Sequence, residues 1–300
     1  MSPEAEARMR ELATQPLRRA SPPSGFFVGA RDSVGAIWER RELLGMLVRR
    51  ELRARYKDSA LGFLWTLARP LVSLLIYYVA IGRFLGAERA IPDFAIYVFT
   101  GLTVWQLFNE IVANGTASIL ANDGIVKKIY LPREIFPLAT VGSALFNFAI
   151  QLAILLVAAL AIRGLVFDSR LLYLPAALAV TLVWATAAAL VLSAANVYLR
   201  DVQYLVEVAL MLGFWASPIV YSWQMVNGAV SPTIALLYLD NPVTIAVLGF
   251  QRAVWTAAPE GAFPGDLAMR LLVALAVGLV MLVISQRLFA TMQGNFAQEL

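Results

Sequence analysis

From residue 61 onward long apolar runs alternate with short polar breaks, and six runs reach the length needed to cross a membrane. They cover residues 61–84, 94–115, 135–162, 171–199, 202–221 and 267–288, against about 20 apolar residues at ~1.5 Å rise for a hydrocarbon core. Ahead of them, Ile37, Leu44, Val48 and Leu52 share one helical face while Glu39, Arg49, Arg53 and Lys57 share the other. That pattern predicts an amphipathic helix lying at a membrane interface. Arg41 and Arg55 interrupt its apolar stripe, which also leaves open a solvated basic flank that serves only topology. The expected organisation is an all-α integral membrane protein with a flexible polar tail (1–31), an interfacial helix (32–60), a six-span domain (61–290) and a short tail (291–300).

Three interruptions of the apolar pattern predict special geometry. Ser217 and Pro218 sit inside the fifth run, where the missing amide donor of proline predicts a kink. Asn241 is placed to cap a helix with Pro242 at its first position, running to about residue 255. A helix of about 14 residues reaches only ~20 Å, so it is re-entrant or interfacial rather than spanning. The loop at 118–137, SILANDGIVKKIYLPREIFP, is too polar to span and too apolar for a mere linker. Asp123 and Gly124 suit a turn there, and Ile125, Ile129 and Leu131 form an apolar patch beside Lys127 and Lys128. It reads as a docking element or as a loop folded onto its own bundle.

Composition agrees with the membrane reading: 60% of residues are apolar, 15% are charged, and the mean hydropathy is +0.72. Basic residues orient the chain. Arg31, Arg40, Arg41, Arg49, Arg50, Arg53, Arg55 and Lys57 precede the first run, and Lys127, Lys128 and Arg133 follow the second. The amino terminus is therefore expected in the cytoplasm, and six crossings return the carboxyl terminus there. No signal-peptide pattern opens the chain. With neither histidine nor cysteine, zinc sites of the common kind, disulfides, thiol nucleophiles and imidazole bases are excluded. No phosphate-loop motif occurs, so no ATP is expected to bind by that route. The third and fourth runs hold no ionisable residue, which disfavours an ion-driven transporter. No aromatic-interleaved basic surface follows, which makes nucleic acid a poor partner.

The densest chemistry lies where the basic flank meets the first run. Arg69 stands eight residues inside that run, about 12 Å along a helix. Its side chain either snorkels to the inner headgroups or joins Arg53, Arg55 and Lys57 in attracting a phosphate-bearing lipid, since guanidinium forks bind phosphate oxygens bidentately. Pro70 marks a bend beside it. Glu110 and Glu207 are candidates to pair with Arg69. Phe99, Trp105, Phe108, Phe214, Trp215 and Tyr221 suit either interfacial belts and helix packing or the lining of a conduit in which flat rings stack on sugar faces.

Three stretches together carry a family resemblance: RYKDSALGFLWTLARPL at 55–71, LRDVQYLVEVALMLGFWASPIVY at 199–221 and LDNPVTIAVLGFQR at 239–252. In order and spacing they resemble the membrane subunit of ABC-2 type exporters, in the branch that moves lipid-linked polysaccharides such as O-antigen, teichoic acid, capsule or galactan. The resemblance extends from about Trp38 to the final run. It implies a homodimer of six-span subunits in a bacterial plasma membrane, joined to two ATP-binding cassette subunits that hold the ATP and magnesium, with no cofactor in this chain. It makes 38–57 a gate helix and 241–255 an outer re-entrant gate, with Pro70, Pro218, Asn241 and Pro242 at hinges. It also places Asp123, Gly124, Lys127, Lys128, Tyr130, Arg133 and Glu134 in a helix that couples to the ATPase. The implied cargo is a polyprenyl-diphosphate-linked glycan entering beside Arg53, Arg55, Lys57 and Arg69. Two other readings stay open: a membrane enzyme acting on polyprenyl phosphates, and an ABC-2 exporter of a different hydrophobic substrate.

Overall fold

The computed structural model describes residues 35, 37–56, 64–127, 131–164 and 168–300, and among these there is no strand. The expected tail at 1–31, Lys57, Lys128 and Tyr130 lie outside the described residues. Helix α1 (Arg41–Tyr56) precedes α2 (Leu64–Tyr77), which widens into a π-helical turn at Tyr78–Phe84. Then come α3 (Phe94–Ala117), the short α4 (Asp123–Val126), α5 (Ile135–Arg163) and α6 (Tyr173–Tyr198). Four shorter helices follow: α7 (Val202–Trp215), α8 (Trp223–Ala229), α9 (Pro232–Leu239) and α10 (Pro242–Val254). The chain closes with α11 (Leu267–Met292) and α12 (Phe296–Glu299).

Helix α3 is the axis of the fold. It packs against α2, α5, α6, α7 and α10, and α11 lies on the far side of α6. Of the apolar stretch of α3, 72% is buried, against 17% for α11, which marks one as central and the other as peripheral. Close approach of α3 and α6 depends on Gly115, where an added Cβ would stand 2.5 Å from the Cβ of Ala189. Thr100, Thr103 and Thr116 donate to the carbonyls one turn back in α3, and Thr181 does so in α6. Their hydroxyls are thereby satisfied inside an apolar bundle.

Among the described residues, four helices are long and apolar enough to cross a membrane: Phe94–Ala117, Ile135–Ile162, Ser169–Tyr198 and Leu267–Asn295. The runs expected as first and fifth spans form shorter helices. In the first, Pro70 lies inside α2, and the described part reaches Phe84 through the π-helical turn. In the fifth, the helix stops at Trp215, because the Ser217–Pro218 pair ends the ladder rather than merely bending it. Helices α9 and α10 form a pair bent by 79°, either a broken span or a re-entrant hairpin. Its corner is Asn241, whose Oδ1 accepts from the Val243 amide at 3.0 Å, with Pro242 opening α10.

The irregular backbone after α7 is buried, so its carbonyls need partners. Gln251 Nε2 donates to the Pro218 carbonyl at 2.8 Å, and the Tyr97 hydroxyl lies 2.9 Å from that carbonyl and 2.7 Å from the Tyr221 carbonyl. Thr244 reaches the Ala216 carbonyl at 3.3 Å. Residues of α3 and α10 thus hold the break in the fifth run in one shape.

Candidate functional site

Helix α1 lies against the amino-terminal end of α5, with Gly142 so close to Val48 that a Cβ there would come within 2.6 Å of it. Leu43, Leu44, Leu47 and Val48 pack into a cluster with Ile119, Val126, Ile135 and Phe136. Arg49 and Arg53 stay exposed on the other side of α1. The face toward the bundle also carries charge, and each of those charges meets a partner.

Arg55 Nη1 donates to Glu110 Oε1 at 2.5 Å, and the same oxygen accepts from Asn147 Nδ2 at 2.7 Å. Glu51 Oε2 accepts from Ser143 Oγ at 2.8 Å. Arg50 donates to Asn122 Oδ1, on the turn that leads directly into α4. Three neighbouring residues of α1 therefore bind α3, α5 and the segment before α4. Burial raises the Glu51 pKa above the ordinary glutamate range, and the nearby Glu110 adds to the rise; Ser143 and the guanidinium groups of Arg50 and Arg55 oppose it.

These contacts were not legible as a site in the sequence, because three of the seven residues, Asn122, Ser143 and Asn147, are neutral. Thr140, Ser143, Asn147 and Gln151 follow a spacing of three, four and four along α5, which places them on one face of the helix, and all are buried. The Gln151 Oε1 has no hydrogen-bond partner among the described residues. Polar spacing of this kind in an otherwise apolar run is a signal that a search for charges passes over. Glu110 has an ion pair with Arg55; the expected pairing of Glu110 or Glu207 with Arg69 falls on a side chain outside the described residues. Of the four expected entrance residues, Arg55 pairs with Glu110 and Arg53 is exposed on α1, while Lys57 and the side chain of Arg69 lie outside the described residues. Glu207 accepts from Gln203 at 3.3 Å on α7.

The expected coupling residues divide into two groups. Asp123, Gly124 and Lys127 are exposed on α4 and its flank, with Lys127 Nζ 3.7 Å from Asp123 Oδ2. Ile125 and Val126 anchor the opposite side in the cluster with α1. Arg133 and Glu134 face the bundle instead. Arg133 donates to the Gln293 carbonyl and stacks over the Phe296 ring, its Cζ 5.5 Å from the centroid. Gln293 Nε2 lies 3.3 Å from Glu134 Oε1. Burial raises the pKa of Glu134, opposed by its hydrogen bonds and by Arg133. Phe296 is fully buried between Phe289 and Tyr198, and the Tyr198 hydroxyl donates to the Met292 carbonyl at 2.6 Å.

Four of the six expected conduit aromatics lie together. Trp105, Phe108 and Phe214 are ring neighbours, Tyr77 stacks on Phe214 at 5.6 Å, and Trp215 continues the band at 5.4 Å, itself 54% exposed. Phe99 is elsewhere, buried with Leu155 and Val254. Tyr221 donates to the Trp215 carbonyl at 2.5 Å and closes the broken end of α7.

A profile of the family described as ABC-2 type transporter matches residues 42–255. The O-antigen export system permease protein RfbA of Myxococcus xanthus is 28% identical over 267 residues, covering 89% of this chain and 98% of the relative. The protein of the same name from Klebsiella pneumoniae is 28% identical over 211 residues, 70% of this chain and 79% of its own length. The polysialic acid transport protein KpsM of Escherichia coli is 32% identical over 78 residues, covering 25% of this chain and 30% of that protein.

Proposed function

The chain belongs to the ABC-2 type transporter family, and from that premise we propose that it is the permease subunit of an ATP-driven exporter. Its cargo in this reading is a polyprenyl-diphosphate-linked polysaccharide, moved from the cytoplasmic to the outer side of a bacterial plasma membrane. Relatives named for O-antigen export that align over most of the chain support the polysaccharide class. The subunit carries no cofactor of its own in this reading. ATP and magnesium belong to two separate ATP-binding cassette subunits.

The observation that carries the mechanism is the bonding of α1 to the segment before α4 through Arg50 and Asn122, next to the Arg55–Glu110–Asn147 network. A partner that pushes on Asp123, Gly124 and Lys127 acts through Asn122 on a basic interfacial helix. Moving α1 by one helical turn exchanges which groups meet Glu110 and Glu51, so entry beside Arg53 and Arg55 responds to the ATPase. Arg69, deeper along the path, continues the attraction for phosphate oxygens.

A glycan chain needs a wide path, and α3 fills the middle of the single subunit. The path in this proposal lies between two copies with six crossings each, both termini in the cytoplasm. The exposed apolar face of α7, including Tyr204, Leu205, Val208 and Leu212, together with the aromatic band ending at Trp215, lines or borders it. Flat rings tolerate a sliding sugar chain better than a fixed hydrogen-bond set does.

The test is purification with the cognate ATP-binding cassette subunit, reconstitution in liposomes and measurement of ATP-dependent movement of a lipid-linked glycan. Glu110→Gln is expected to retain the complex and slow the movement. A stable chain that neither binds an ATPase subunit nor moves glycan refutes the proposal.

A further inference from the structure

At the end of the bundle away from α1, a cavity of about 440 Å3 opens between the start of α6, the end of α10 and the loop before α11. Arg170 stands on one wall and Arg252 on another, with Tyr173 and Phe263 between them and Glu260 at the exposed rim. The guanidinium of Arg252, in the last turn of α10, lies over the Phe263 ring with Cζ 5.3 Å from the centroid. No described carboxylate lies within ion-pairing distance of it. Arg170 turns Nε toward Asp168 at 3.5 Å, an ion pair that leaves its terminal nitrogens without a described partner. Neither arginine has a described ion pair with Glu260, the carboxylate that lines the cavity.

A guanidinium held over an aromatic ring by a cation–π contact has its donor edge restrained in direction. That group and the Arg170 guanidinium, which line one water-accessible cavity, match the oxygens of a phosphate or diphosphate, which accept in pairs from planar forks. The titratable groups lining the cavity are Arg170, Arg252, Tyr173 and Glu260. At neutral pH they sum to a net positive charge, with the one carboxylate at the solvent edge.

We propose that this cavity binds a phosphate group on the outer face of the membrane, beside the bent α9–α10 pair. The outer assignment rests on the transport reading, in which α1 marks the cytoplasmic end; binding itself does not. A diphosphate-linked lipid that has crossed must present its phosphates at this level, and Arg170 and Arg252 receive them there.

The test uses the full-length chain in phosphatidylcholine nanodiscs, titrated calorimetrically with inorganic pyrophosphate. A parallel arm measures retention of phosphatidylglycerol by native mass spectrometry. Arg252→Gln and Arg170→Gln are each expected to weaken pyrophosphate binding about tenfold or more, the loss of a charge-assisted fork. Glu260→Gln is expected to tighten it about two- to fivefold by removing a like charge at the rim. Saturable pyrophosphate binding means the phosphate reaches the cavity from water. Retention of phosphatidylglycerol alone, lost in both arginine variants, means a lipid headgroup approaching from the bilayer. Because Arg252 also braces Phe263, its variant is checked by thermal melting, and Arg170→Gln decides the matter if that variant fails to fold. Absence of binding by either probe, or binding indifferent to both arginines, overturns the proposal. No ATPase subunit is present in this assay, so its failure and a failure of transport are read separately.

Discussion

Cutting the bond between Arg55 and Glu110 tests whether α1 is a movable element held by polar contacts. The pair is 2.5 Å apart, with side-chain exposures of 38% and 19%. A hydrogen bond to a charged group is worth about 1.5–3 kcal/mol where water is excluded, and exposed pairs fall to ~0.2–1 kcal/mol. Partial exposure sets the expected coupling near 1 kcal/mol, roughly a fivefold shift in the balance between docked and undocked α1. Glu110→Gln keeps an acceptor for Asn147 and removes the charge, while Arg55→Gln removes the donor fork. The two single variants and the double variant form a cycle. Spin labels on α1 and on the amino-terminal half of α5 report the docked fraction by their distance distribution, and glycan movement is measured on the same preparations. Each single variant is expected to populate a longer distance and slow transport, and the double variant to add little beyond either one. Independent, additive effects, or unchanged distances with unchanged transport, would falsify the role of this contact in holding α1.

Other perturbations probe the framework around the site. Phe296→Ala removes a fully buried ring between Phe289 and Tyr198, a change of about 3–5 kcal/mol. It is expected to lower the melting temperature and to raise ATP hydrolysis per glycan moved, because Arg133 loses the surface it stacks on; coupling that survives full loss of the ring contact refutes the bracing role. Gly115→Ala drives a Cβ to within 2.5 Å of Ala189 and is expected to destabilise by about 1–3 kcal/mol, with recovery by Ala189→Gly in the same chain; thermal melts of the single and double variants decide it. Burial raises the pKa of Glu134, so its contribution to stability is full below the unfolded glutamate pKa and is lost as pH rises through the folded one. Glu134→Gln is therefore expected to raise the melting temperature at pH 7.5 more than at pH 4.5, and an equal shift at both values contradicts the assignment.

The long helices were legible because their signal is additive. Residues 94–115, 135–162, 171–199 and 267–288 stood out as apolar runs, and the structure carries helices over each. The run at 202–221 looked equally apolar, yet its helix ends at Trp215, since hydropathy counts side chains and is blind to the amide that Pro218 lacks. Tyr97, Thr244 and Gln251 come from distant parts of the chain to satisfy the carbonyls released there. No local window contains that information. The inward placement of Arg133 and Glu134 was hidden for the same reason, because their partners Gln293 and Phe296 lie about half the chain away.

The polar contacts of α1 depend on charges that look misplaced in an amphipathic segment. Arg55 looked like a flaw in the apolar stripe of α1, and in the fold it is the residue of that helix that meets Glu110. A charge on the apolar face of an amphipathic helix is costly unless something opposite accepts it, and the partly exposed Arg55 has such an acceptor. The counterpart is a single acid near the end of the second run, supported by Asn147 from the stripe that also carries Ser143 and Gln151. Scanned separately, Arg55 is a topology signal, Glu110 an isolated acid and the α5 stripe a minor dip in hydropathy. Taken as one constraint, they require α1 to lie across the end of α5 beside α3. The apolar cluster under Leu43, Leu44, Leu47 and Val48 holds α1 on the bundle, and the Arg55–Glu110 pair, worth about 1 kcal/mol at its partial exposure, adds register, since an apolar face slides along a bundle with less penalty than a paired guanidinium does.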